Sequence, residues 1–165
     1  QGCSIEAFAD AASYEEMNRR FGYAFEPFEV PDHGYFYRPV LDWREIGECS
    51  FNAGGIEFLA YTQDHGYSKT LGLRFGDIAY STDVVQLDDL AFDLLRDLDL
   101  WIVGCLREVP HPTHAHLERV LGWIERVAPR RVVITHMNHT LDYEALRVKL
   151  PDNAVPAYDG MIIEI

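Results

Sequence analysis

The chain has no apolar run long enough to cross a bilayer, no CxxC pair, and only 14 basic residues against 27 acidic ones. Each shortage excludes something. Without roughly 20 consecutive apolar residues there is no membrane-spanning helix to read. The opening QGCSIEAFAD lacks a basic segment followed by an apolar one, so it does not read as a signal peptide. Three scattered cysteines, Cys3, Cys49 and Cys105, offer no disulfide framework and predict a reducing, cytoplasmic setting. Cys105 closes the apolar run LWIVGC and reads as a small buried side chain, with a nucleophilic role as the less favoured alternative. A net charge of −13 argues against broad binding to nucleic acid or to a membrane surface. It leaves room for a phosphate-bearing substrate wherever bound cations reverse the local sign.

What is present is an ordinary globular composition, 48% hydrophobic and 25% charged over 165 residues, enough for a real core. IEAFA predicts a short strand, and Ser13 with Glu16 fits a capping box opening a helix. PFEVPDHGYFYRPVLDW, residues 27–43, has no clear period and reads as a long loop or flap. The middle predicts strands at GIEFLAYTQ, KTLGLRF and IAYST, the last two joined at Gly76-Asp77. Helix and strand then alternate: LAFDLLRDL, LWIVGCL, HLERVLGWIERVA, RRVVIT and DYEALRVKL. In the third of these, Leu117, Val120, Leu121, Ile124 and Ala128 form one apolar stripe. AVPAY and MIIEI read as two final strands around Asp159-Gly160. The pattern predicts an α/β (α+β) domain, helices packed outside a mixed sheet.

Six of the seven histidines fall between positions 65 and 139, and several stand where an apolar run stops. His65 follows GIEFLAYTQ, Asp83 follows IAYST, and His136 and His139 follow RRVVIT. His111, His114 and His116 come after LWIVGCL. Ligand sites in open α/β sheets gather beyond the carboxyl ends of strands, and imidazole with carboxylate is a donor set for zinc, manganese or iron. A lone histidine at a strand end is more often a hydrogen-bonding residue, which is the reading for His33. His111 and His116 stand evenly between substrate contact and a structural role; His116 could open its helix with Thr113 as N-cap.

In order along the chain, QDHGYSKTLGLRFGDIAYSTDV, CLREVPHPTHAHLE, VVITHMNH and VPAYDGMIIEI resemble the C-terminal half of a metallo-β-lactamase-fold hydrolase. The branch they resemble contains the phosphoribosyl cyclic phosphate phosphodiesterase. The resemblance implies an αββα sandwich holding two divalent ions, Zn or Mn. It implies His65 and His136 as ligands of the first and second ion, Asp83 as the carboxylate shared by both, and His114 as the acid that protonates the leaving group. His139, and with it His111 and His116, would line the substrate side. The expected reaction is hydrolysis of a small cyclic phosphate or nucleotide. Alternatives are another hydrolase of the fold, acting on RNA, a thioester or a lactam, or a degenerate, metal-free ligand-binding domain.

The family's HxHxDH signature occurs nowhere in the chain, and there is no initiator methionine. The expectation is therefore that residues 1–165 are the C-terminal portion of one such domain, with the portion carrying HxHxDH outside it. Such a fragment would be inactive alone, would hold little or no metal, and would form a homodimer through its exposed sheet surface.

Overall fold

The computed structural model describes residues 4–27 and 40–165, which fall into two compact units, 1–47 and 48–165. His33 and residues 28–39 of the expected flap lie outside the described residues. In the first unit, strand β1 (Ser4–Ala9) is followed by helix α1 (Ala11–Phe21) and a 3₁₀ turn (Gly22–Ala24). Strand β2 (Val40–Glu45) lies parallel to β1, with Ser4 opposite Val40 and Ala9 opposite Glu45.

Two expectations are corrected here. The α1 cap is Asp10, not Ser13: the Asp10 carboxylate accepts from the Ser13 backbone N at 2.9 Å and from Ser13 Oγ at 2.6 Å. Ser13 thus sits three residues inside the cap, and Glu16 pairs with Arg19 and Arg20. The last residues of the expected flap are strand. VLDW has a place beside β1, where Trp43 stacks on Tyr14 at 3.8 Å and donates Nε1 to the Ala9 carbonyl.

The second unit is a seven-stranded mixed sheet, with helices, as the sequence pattern predicts. Its strands are β3 (Ser50–Ala53), β4 (Ile56–Asp64), β5 (Lys69–Phe75), β6 (Ile78–Ser81), β7 (Leu100–Gly104), β8 (Arg131–Thr135) and β9 (Ala154–Pro156), in that spatial order. Pairing is antiparallel from β3 to β6 and parallel from β6 to β9. β3 went unread in the sequence, although Gly54 and Gly55, both at positive φ, make the tight turn into β4 that only such residues allow at no steric cost.

Helices α2 (Asp89–Leu94), α3 (Leu117–Val127) and α4 (Tyr143–Lys149) supply one face of the main core. Phe92, Val120, Trp123, Ile124 and Leu146 pack there with Trp101, Val103, Val132 and Ile134 of the central strands. Alternation along each strand sends the intervening side chains to the other face. There Ile78, Leu100 and Val133 form a smaller cluster with Phe75, Ile102, Met161 and Ile163. In α3, Trp123 takes the place expected for Ala128, which is exposed and ends the helix at φ 50°. MIIEI is not a strand. Met161 and Ile163 turn onto the sheet while Ile162 stays exposed, but Ile165 is exposed too, and the segment has no ladder partner among the described residues. Among the described residues no helix is long and apolar enough to cross a membrane.

Candidate metal centre

The strands β4, β6, β7 and β8 point their carboxyl ends to one edge of the sheet, and each is followed by a donor residue. Beyond β4, the Asp64 side chain accepts from the Gly66 backbone N at 2.8 Å and turns the chain at His65. Gly66 adopts φ +76°, and a Cβ there would stand 2.5 Å from the Pro112 carbonyl. Only glycine lets the β4 turn come this close to the loop carrying His111 to His116. His65 Nδ1 lies 3.1 Å from Ser68 Oγ, which orients the ring with Nε2 inward.

Asp83 follows β6 in a left-handed conformation at φ 53°, and His136 follows β8 in the same conformation at φ 61°. A side chain held there costs of order 1–3 kcal/mol, so the surroundings must enforce it. At Asp83, Thr70 Oγ1 donates to the residue's own carbonyl at 2.8 Å. Buried Gln63 donates Nε2 to the Thr82 carbonyl at 3.1 Å. His136 packs against Gly104 of β7, where even a Cβ would stand in ordinary contact with His136 Cβ at 3.6 Å. The loop after β7 is tied down by Ala115, which donates to the Val84 carbonyl at 2.7 Å and accepts from Leu106 at 3.0 Å.

The four side chains converge on Asp83. His114 Nε2 and His136 Nε2 each stand 3.1 Å from Asp83 Oδ1. His65 Nε2 is 3.3 Å from His114 Nε2. The donor atoms of His65, Asp83 and His114 all lie within 4.8 Å of one another. The His114 ring packs flat on His136 and edge-on to His65. Burial holds the His114 imidazole below the ordinary histidine value; the Asp83 hydrogen bond pulls it back up, and the His136 and His65 rings push it down again. Imidazole nitrogens around one carboxylate, at strand ends open to solvent, are the chemistry of a divalent cation site, and these residues fit one.

His111 joins the group at one remove. Its Nδ1 accepts from the Thr113 backbone N at 3.3 Å, and Thr113 Oγ1 lies 2.7 Å from His114 Nδ1. Thr113 therefore does not cap α3, as the sequence suggested; His116 itself stands at the N-cap position, without a side-chain cap bond. His116 is buried, with Nε2 4.0 Å from Glu118, and His139 is exposed; neither is among the groups that meet at Asp83. Sequence reading missed Thr113, Thr70, Gln63 and Gly66, since hydroxyls, amides and glycines carry no metal signature. Asp64-His65-Gly66 did hold a readable turn signal. Cys105 is buried, as expected, and its thiol is pushed up to about 12 by that burial, which removes it as a nucleophile.

A family model for the beta-lactamase superfamily domain matches residues 1–137. An octanoyltransferase of Porphyromonas gingivalis is 28% identical over 161 residues, 95% of this chain but 32% of that protein. A crystal structure of a new diphosphatase from the PhnP family superposes with a TM-score of 0.86 at 25% identity, covering 99% of this chain and 60% of that one. The metallo-beta-lactamase fold protein YhfI from Bacillus subtilis superposes at 0.74 with 15% identity, over 98% of this chain and 65% of that one. The chain thus spans about a third of the curated relative and less than two thirds of either structure.

Proposed function

Because the chain belongs to the beta-lactamase superfamily domain family, we propose that it carries part of the active site of a metal-dependent hydrolase acting on a small phosphodiester, a cyclic phosphate or a nucleotide. The observation that carries this reading is the meeting of His65, His114 and His136 around one carboxylate, Asp83. Likeness to a diphosphatase at 25% identity supports phosphorus chemistry over other ester classes. The excess of acidic residues supports a small substrate over a long RNA.

His65, Asp83 and His136 would hold zinc or manganese. One catalytic zinc usually takes three protein donors, so with His65 toward one ion, His136 toward the other and Asp83 common to both, each ion would need further donors. A divalent cation there supplies Lewis acidity toward a phosphoryl oxygen and lowers the pKa of water. Asp83 sets the spacing of the site by accepting from two sides. His114, half sheltered above Asp83, is placed to give a proton to the departing oxygen, a contribution of roughly 10²–10⁴-fold. His111 and the exposed His139 would flank the substrate.

Elemental analysis after dialysis against zinc or manganese, paired with hydrolysis of bis(p-nitrophenyl) phosphate, a 2′,3′-cyclic nucleotide, a thioester and a β-lactam, tests the reading. The expected result is little retained metal and no cleavage by this chain alone, and metal-dependent cleavage of the phosphodiesters by the chain together with a segment bearing HxHxDH. His114→Ala should then lower turnover and leave metal content intact. Loss of metal in that variant would make His114 a ligand. Thioester or lactam cleavage alone would move the substrate class, and no bound metal even with that segment present would sink the hydrolase reading.

A further inference from the structure

His114 is engaged at both ring nitrogens, and its neighbours decide where its hydrogen sits. At Nε2 they are Asp83 Oδ1 at 3.1 Å and His65 Nε2 at 3.3 Å. A carboxylate oxygen only accepts. His65 Nε2 also accepts when the His65 ring hydrogen is on Nδ1, shared with Ser68 Oγ. A ring nitrogen between two acceptors is satisfied by carrying the hydrogen itself.

The other nitrogen tells the same story. Thr113 Oγ1 lies 2.7 Å from His114 Nδ1 and 3.2 Å from His111 Nδ1. The second acceptor is already engaged, because the Thr113 backbone N–H, which can only donate, points at His111 Nδ1. The hydroxyl hydrogen therefore goes to the shorter contact. Thr113 is also held in place: a Cβ on Gly66 would come within 3.1 Å of Thr113 Cγ2, so the methyl already fills the space against the β4 turn.

We propose that Thr113 is a positioning residue: its hydroxyl donates to His114 Nδ1 and holds His114 as the Nε2–H tautomer. A nitrogen that carries a hydrogen cannot ligate an ion, so this tautomer keeps the ring out of the donor set; the ring gives up the Nε2 hydrogen as imidazolium, once Nδ1 has taken a proton and the Thr113 hydroxyl has turned to accept from it. Asp83 at Nε2 and the Thr113 hydroxyl at Nδ1 favour the same tautomer from opposite sides of the ring, and the hydroxyl is the neutral one of the two. The use made of the proton rests on the hydrolase reading above; the tautomer does not.

The test is a nitrogen-15 imidazole correlation spectrum of the whole chain at about pH 8, where histidine is neutral, with and without zinc. The His114 resonances are identified by their loss in His114→Ala. The expected spectrum shows His114 as Nε2–H in both states. Thr113→Val should move it toward the Nδ1–H form and raise zinc affinity several-fold, because Nε2 becomes free to ligate. Thr113→Ser should behave as the parent does. If the valine variant does not fold, Thr113→Ala carries the same comparison. An Nδ1–H His114 in the parent chain, or an unchanged tautomer without the hydroxyl, overturns the proposal. The expected tautomers without phosphodiester cleavage would leave the positioning role standing and remove the substrate reading. Cleavage with an Nδ1–H His114 would do the reverse.

Discussion

The two ends of the parallel strands β6, β7 and β8 carry the same kinds of polar group and treat them in opposite ways. At the amino ends, Asp99 lies between Arg130 and Arg131, and Arg131 also donates to the Glu164 carbonyl at 2.9 Å. The two guanidinium groups hold the Asp99 carboxyl below the usual carboxylate range. Nearby, Arg74 spreads its donors over the Gly76, Leu94 and Arg96 carbonyls. Charge at this end is closed by covalently attached partners. At the carboxyl ends, among the described residues, the Asp83 side chain meets only imidazoles, and two of the residues there sit in left-handed backbone. A carboxylate faced by groups that are neutral above their titration range has no fixed counter-charge. Pairing at one end serves stability, whereas the open end costs stability and leaves a place for a cation.

That contrast can be broken by substitutions at either end or between them. Asp83→Asn should have the largest effect, abolishing zinc or manganese binding in calorimetric titration while the circular dichroism spectrum stays that of the parent. A collapse of the fold instead would mean that Asp83 is structural, like Asp99. Between the two ends, Ser81 accepts from Trp101 Nε1 at 2.8 Å and lies 2.6 Å from the Tyr61 hydroxyl, both buried. Ser81→Ala strands two polar groups, at a cost of about 2–4 kcal/mol from the usual penalty for each, readable by urea unfolding. A cost near zero would show that the middle of the sheet is plastic and that the two ends are not rigidly linked.

Asp99→Asn should cost little stability at neutral pH, as ion pairs near the surface do. Its signature is in the pH dependence. The folded-state pKa of Asp99 is lowered, so its contribution is complete above the ordinary value of 3.8 and is lost as pH falls below it. Acid unfolding of the variant should lack that component; an unchanged acid limb would mean that the arginines do not hold Asp99 in solution. His139→Ala should have the smallest effect, within about 0.5 kcal/mol in stability and none on ion affinity. A loss of bound ion would place the centre farther from Asp83 than the geometry shows.

The parts of this arrangement that were legible in the sequence are those written in period and position. LWIVG and RVVIT are apolar on both faces because each is covered on both, and α3 keeps its stripe because Leu117, Val120 and Ile124 recur at helical spacing. His65, Asp83, His114 and His136 stood out because each follows such a run. What stayed hidden depends on which hydrogen bond wins. Asp10 and Ser13 both carry good capping groups, and only the backbone geometry gives the cap to Asp10. Thr113 looked like a helix cap three residues before His116, yet its hydroxyl is held by the His114 ring. Met161 to Ile163 alternate as a strand does, and no local signal says that the neighbouring edge will not pair.

The close approach of Gly66 to Pro112 belongs to a set of ties among the loops around Asp83. Val85 donates to the Asp64 carbonyl at 2.7 Å, Ala115 to Val84 at 2.7 Å, and Asn138 to Leu106 at 2.9 Å. Each loop is thus stitched to the next by main-chain bonds, with Thr70 and Gln63 adding side-chain ties at Asp83 and Thr82. In kinetic terms the pocket has little slack to take up. The entropy of ordering its walls is lost when the domain folds and not when an ion arrives. An incoming cation would meet its donors already aligned, and capture should run at a rate set by shedding its water, with no slow rearrangement of the chain.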